Sequence, residues 1–245
     1  MTEHALRAPA PFRFRAYAAL IALAVALAGC SDTTAPPDGR QLDFDFRSDA
    51  SGWEADFTDF PEGRAADVNF EAGVRPLPDP LEGQSLFHRG NNFSDDLFMY
   101  FKRRIEGLEP GTRYRAGFEV RFASDAGEDC DVGKAPNVVV KAGAAATEPV
   151  RLVDDRGNVR LSVDKGSQRN SGTNALVLGD IRNGQPGCGD DLPFAEETVT
   201  VEETITVSAD DDGGLWLFFG TESAFEVPHE LYFTELRVRL EAAGG

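Results

Sequence analysis

Tyr114, Ala116, Phe118, Val120 and Phe122 alternate with Arg113, Arg115, Gly117, Glu119 and Arg121. A period of two over ten residues fits a strand with one dry face and one wet face, and no helix can satisfy it. The same alternation recurs along the chain. Leu42, Phe44 and Phe46 carry it, as do Trp53, Ala55 and Phe57. Leu97, Met99 and Phe101 begin a run that breaks at Lys102, Arg103 and Arg104 and resumes at Ile105. Val199, Val201, Ile205 and Val207 form one segment, and Leu236, Val238 and Leu240 form the last. Residues 138–142 are short and β-branched, while residues 215–219 are apolar on both faces, as a central strand requires. No window reads as a capped amphipathic helix.

The turns agree. Pro110 and Gly111 suit a type II turn between the 97–105 and 113–122 strands, which predicts an antiparallel hairpin or a short arch. Asp210 to Gly214 is a second turn. Residues 164–192 are rich in Gly and Asn and are expected to form a long excursion with little regular structure. The expectation is an all-β chain, an antiparallel β-sandwich of about nine to eleven strands, with residues 41–245 as a single domain.

The segment from Ile105 to Tyr114 (IEGLEPGTRY) resembles one that recurs in jelly-roll domains of the carbohydrate-binding and galactose-binding-like type, and in fibronectin type III repeats. Residues 43–241 are too long for one fibronectin repeat of roughly 100 residues, which favours the jelly roll.

The N-terminus reads as an address. Arg7, Arg13 and Arg15 precede a charge-free apolar run over residues 16–28. The run is shorter than the roughly 20 residues needed to span a bilayer. It ends in Leu27, Ala28, Gly29 and Cys30, which resemble the lipobox of bacterial lipoproteins. The resemblance implies a signal peptide over residues 1–29, cleavage before Cys30 and acylation of Cys30. Residues 30–40 would then be the lipidated cysteine and a flexible tether. Ser31 after the cysteine is compatible with outer-membrane export. The expected location is exported and membrane-anchored, at the outer membrane or cell surface.

Charge bounds the partners. The chain carries a net charge of −18, and the loss of three Arg and Glu3 with residues 1–29 would take it to −20. Such a surface repels nucleic acid and anionic lipid. With Cys30 acylated, Cys130 and Cys188 remain, and outside the cytoplasm they are expected to pair. Acidic neighbours disfavour the alternative of a reactive thiolate.

Candidate sites follow from residue chemistry. Glu54, Asp56 and Asp59 resemble the E-x-D-x-x-E strand of laminarinase-type glycosidases, with Asp59 replacing the final Glu; the plainer reading is a solvated acidic strand face. Asp95 and Asp96 lie in an Asn/Ser/Asp turn, and Asp129, Asp131, Asp190 and Asp191 flank the two loop cysteines; either group offers oxygens to a structural Ca²⁺. No other cofactor is expected. Trp53 and Trp216 are the only tryptophans, and such rings stack on sugars when exposed or fill cores when buried. Glu222, Ser223 and Glu226 follow the 215–219 strand as a candidate loop rim. Lys102, Arg103, Arg104, Arg113, Arg115 and Arg121 form a basic stripe across the expected hairpin, to be met by an acidic partner or by cross-strand pairing with Glu106 and Glu119. His88 and His229 stand alone, without zinc-ligand spacing.

These readings point to a non-catalytic binding module for a glycan or extracellular polymer. The alternatives are a structural or assembly lipoprotein that binds another protein, and a glycosidase-like enzyme using carboxylates.

Overall fold

Alternation becomes strand along most of the chain. The computed structural model describes residues 39–189 and 192–244, so Cys30, the lipobox, most of the tether, Asp190 and Asp191 lie outside the described residues. Fifteen strands are present among these residues: β1 (Gly39–Asp45), β2 (Glu54–Thr58), β3 (Phe60–Pro61), β4 (Glu71–Pro76), β5 (Gln84–Asn91), β6 (Leu97–Ile105), β7 (Arg113–Ser124), β8 (Val138–Ala145), β9 (Arg151–Val153), β10 (Asn158–Leu161), β11 (Ala175–Asp180), β12 (Ala195–Thr200), β13 (Ile205–Ser208), β14 (Leu215–Ser223) and β15 (Pro228–Ala242). The count exceeds the expected nine to eleven. One four-residue helix, α1 (Lys134–Asn137), precedes β8.

Two antiparallel sheets form a jelly-roll-like sandwich. The seven-stranded sheet runs β12-β7-β15-β5-β4, with β1 also beside β15 and β13 also beside β7. The five-stranded sheet runs β11-β8-β14-β6-β2. Their facing sides supply the main core, in which Phe101, Leu217 and Phe219 meet Phe118, Phe233 and Leu236. Phe219 lies edge-on to Phe233 at 5.0 Å and stacks on Phe46 at 5.5 Å. Each such ring, fully buried, contributes about 2–3 kcal/mol of transfer free energy.

Several expectations are corrected. β6 does not break at Lys102–Arg104, because the three cations remain in the strand and find partners there. Of the two expected connections, hairpin or arch, the Pro110–Gly111 turn is the arch, since β6 and β7 belong to different sheets. The basic stripe is thereby split. Its members pair locally: Arg104 with Glu106 and Asp210, Arg115 with Glu241, and Arg121 with Glu235. Glu119 pairs with Arg237. The 199–207 segment is two strands, β12 and β13, laid end to end along β7. Residues 164–192 are not wholly irregular, since β11 extends the five-stranded sheet.

The outer face of the five-stranded sheet is covered rather than bare. On β14, Leu215, Leu217 and Phe219 point into the sandwich, so Trp216, Phe218 and Glu222 point outward. Phe218 packs there with Phe98, Tyr100 and Ala175, under Leu161 and Val163. A small sheet of order β3-β10-β9 carries this cover. β8 offers no side chain at Gly143, where a Cβ would collide with the Asn174 carbonyl and the Phe218 ring, so Phe218 lies flat over this part of the sheet's outer face.

Candidate functional site

Glu222 marks where the outer face turns from apolar to ionic. Its side chain is fully buried, and so is that of Lys141 on β8. Lys141 Nζ lies 2.5 Å from Glu222 Oε2, and Lys165 Nζ lies 2.7 Å from Oε1. The backbone N–H of Gln168 also donates to Oε1, at 2.7 Å. Lys141 spends its remaining donors on the carbonyls of Lys165 and Asn170, at 3.0 and 3.1 Å. A strand lysine thus ties the 165–170 segment to the sheet.

The network continues outward. Lys165 Nζ lies 3.3 Å from Asp59 Oδ2. Arg160 on β10 donates from Nη1 to Asp59 at 2.7 Å and to Asp96 at 2.8 Å, and from Nε to Asp154 at 3.3 Å. Asp59 follows β2 in the left-handed region, at φ 70°, and Asp95 beside Asp96 sits at φ 63°. Asp tolerates this region better than most residues. The two turns bring two carboxylates onto one guanidinium nitrogen. Asp164 shapes the next loop by accepting the N–H groups of Gly166 and Thr173, each at 2.9 Å.

Three cations therefore face four carboxylates: Lys141, Lys165 and Arg160 against Glu222, Asp59, Asp96 and Asp154. The excess of acid is felt at Asp96. Burial, and then the hydrogen bond and charge of Glu222, push its carboxyl up to about 6 against the pull of Lys165 and Arg160. Asp96 Oδ1 is buried without a hydrogen-bond partner, whereas Glu222 Oε2 has the Lys141 ammonium beside it. A proton on Asp96 lets it donate to Glu222. Burial alone would lower Lys165, but Glu222 and Asp59 outweigh it and hold its ammonium above the usual lysine value.

An open groove of about 520 Å³ lies over this network, lined by Asp59, Asp96, Arg160, Ser162, Asp164 and Lys165 among others. Its walls are polar donors and acceptors already fixed by one another, an arrangement suited to binding a polar ligand without reorganisation. It is poorly suited to carboxylate catalysis. Asp59 is occupied by Arg160 and Lys165, and Asp56 by Arg151 and the Tyr100 hydroxyl.

The sequence-derived candidates scatter. Glu222 and Ser223 are strand residues with no exposed surface, and only Glu226 lies in an exposed loop. Of the two roles open to it, Trp53 takes the core one, at the edge of the main core. Its ring packs edge-on against Phe44, Phe46 and Phe219 at 5.2, 5.7 and 5.0 Å. Trp216 is half-buried on the outer face, with Lys102 Nζ 5.7 Å from its ring centroid. It shares that face with Glu222 but lies six residues away, about 20 Å along the strand. The two do not form one site.

Cys130 and Cys188 pair as expected, with Cα atoms 4.9 Å apart. A second cavity of about 400 Å³ lies beside the disulfide. Asp129 accepts the Gly187 N–H at 2.7 Å, Asp131 is exposed, and Asp96 is committed to Arg160. Among the described residues, no group of three or more His, Cys, Asp or Glu side chains converges as a metal site. The histidines do meet, inside the core: Nε2 of His88 and Nε2 of His229 each lie 3.0 Å from Thr221 Oγ1. Sequence reasoning missed Lys141, Arg160 and Lys165. A lone lysine inside the apolar run 138–145 is the signal that could have found the first.

No family model matches the chain, and no curated protein matches it in sequence. Solved structures with a similar arrangement include the CBM22-1 xylan-binding domain from Paenibacillus barcinonensis Xyn10C, at 11% identity and a TM-score of 0.39, covering 86% of this chain and all of that one. The mannan-recognising carbohydrate-binding module TmCBM27 is similar at 10% identity and a TM-score of 0.37, covering 83% and 99%. A cyclase from Fischerella sp. TAU is similar at 12% identity and a TM-score of 0.36, covering 84% and 100%. Likeness at this level transfers no ligand, and one of the three is an enzyme.

Proposed function

We propose that the chain is an exported, lipid-anchored, non-catalytic binding module whose ligand is a glycan or a similar hydroxyl-rich polymer. The groove over the Asp59–Arg160–Asp96 network carries this reading. It offers fixed donors and acceptors in an open trough, which is how polar chains are held without chemistry. Residues 1–29 are the removed signal peptide, acylated Cys30 is the anchor, residues 31–40 are the tether, and residues 41–245 are the binding domain. A glycan array followed by titration calorimetry tests the binding. Affinity for a glycan, weakened by changes at Arg160, supports it, and silence across the array removes it. Accumulation of an uncleaved precursor under globomycin tests the anchor.

A second reading has one observation in its favour. Leu152 and Val153 on β9, the edge strand of the small sheet, and Val150 just before it expose apolar side chains. An exposed apolar edge can add a strand from another protein. Loss of a co-purifying partner on Leu152→Lys would support this assembly role.

A further inference from the structure

We infer that the groove takes a neutral sugar and excludes acidic ones, with Arg160 Nη2 as the donor that reads the ligand. This inference rests on the glycan-binding reading and narrows it. Arg160 has five N–H donors in a planar fork. Nε and both Nη1 donors are engaged by Asp154, Asp59 and Asp96. Nη2 has no protein partner among the described residues, and the side chain is 40% exposed at the groove wall. The three carboxylates lock the plane of the guanidinium, so Nη2 presents two hydrogens in a fixed direction without entropy loss on binding.

The charge around that donor selects the ligand class. Every cation in the network already faces a carboxylate, and Asp164 adds another acid to the groove lining. An incoming uronate carboxylate would meet an excess of like charge with only one unengaged Nη2 to receive it. A hydroxyl meets no such repulsion, accepts from Nη2 and can donate to a carboxylate oxygen. Neutral hexose or pentose units fit these demands.

Titration calorimetry with matched tetrasaccharides tests this: β-1,4-linked glucose, mannose, xylose and galactose against α-1,4-linked galacturonate, at 20 and 500 mM NaCl. The expected result is binding of at least one neutral tetramer, with affinity about 10-fold or more above that of the uronate at low salt. Salt should leave the neutral affinity nearly unchanged and narrow the gap by screening. Arg160→Lys keeps the charge and removes the fork, and should weaken the neutral sugar by about 10-fold or more, as for one lost hydrogen bond to a charged group. Unchanged thermal unfolding of Arg160→Lys separates this effect from collapse of the network; Arg160→Gln serves if the lysine variant unfolds. Tighter binding of the uronate overturns the charge selection while leaving glycan binding intact. Failure of all five sugars overturns the glycan-binding reading itself, and this inference with it.

Discussion

Lys141 on β8 and Glu222 on β14 form an ion pair 2.5 Å apart in which neither side chain reaches solvent. Burying two charges is costly, and leaving one of them unpaired costs more than losing both. Lys141→Met leaves Glu222 with Lys165 alone and strips the Lys165 and Asn170 carbonyls of their donor, and should destabilise by about 3 kcal/mol. The double variant Lys141→Met with Glu222→Leu should lose clearly less than the two single losses added together. Urea titrations of the four proteins measure the coupling, and strict additivity would show that the pair does not act as a unit.

The proton on Asp96 has a stability consequence opposite in sign to that of most carboxylates. Its folded value is raised to about 6, above the ordinary aspartate value, so the folded protein binds this proton more tightly than the unfolded chain. The contribution is present below pH 4 and is lost as pH rises through 6. Asp96→Asn should remove this decline and gain stability relative to the native protein between pH 5 and 7. An unchanged difference in unfolding free energy across that range would separate Asp96 from Glu222.

His88 and His229 pull the other way. Burial holds His88 well below the usual histidine value, with the His229 ring adding to the effect, and burial lowers His229 to about 3. Both are neutral when folded and protonate on unfolding below pH 6.5. Their stabilisation is complete above pH 6.5 and is lost as pH falls toward 3. Two such protons give a slope of up to about 2.7 kcal/mol per pH unit. Asp96 opposes one of them between pH 4 and 6, so Asp96→Asn should steepen the acid slope. His229→Asn should flatten it, as measured by urea midpoints at half-unit pH steps.

The division between what alternation reveals and what it conceals has a physical basis. Strands β7, β14 and β15 were legible because each separates a dry face from a wet one, or is dry on both. β9 and β10 were not, because they cover an outer face and keep part of their own surface in water. The disulfide was legible by elimination. The ionic network was hidden because its members come from separate segments, and all but Lys141, which stands alone in an apolar run, have an ordinary solvent-exposed explanation in sequence. Glu222 reads in sequence as part of a loop rim after the 215–219 strand, whereas β14 runs on to Ser223. Its two lysines allow Glu222 to remain in the strand.

Removing the Cys130–Cys188 bridge should cost about 4 kcal/mol, the chain-entropy value for a closed loop of this size, with the sequence separation at 58. Cys130→Ala with Cys188→Ala leaves no free thiol in the domain and isolates the loss of the cross-link. Thermal unfolding with and without reductant should separate the native protein into two stabilities and leave the variant with one.

The two tryptophans should respond differently to truncation. Trp53 meets three aromatic rings in edge-on geometry at the border of the main core. Trp53→Ala should cost about 3 kcal/mol, the low end for an aromatic core truncation because the ring is only partly buried. Trp216 is half-buried, its ring facing the Lys102 ammonium that also holds Glu148 at 2.5 Å. Its truncation removes a cation–π contact and some surface, about 1 kcal/mol. Arg160, the donor that reads the ligand, is held by Asp59, Asp96 and Asp154, none of which contacts Trp216, so Trp216→Ala should leave glycan affinity within twofold of native. A large loss of affinity with fold intact would move the ligand from the Arg160 groove to the Trp216 end of the same face, a result that calorimetry on this single variant delivers directly.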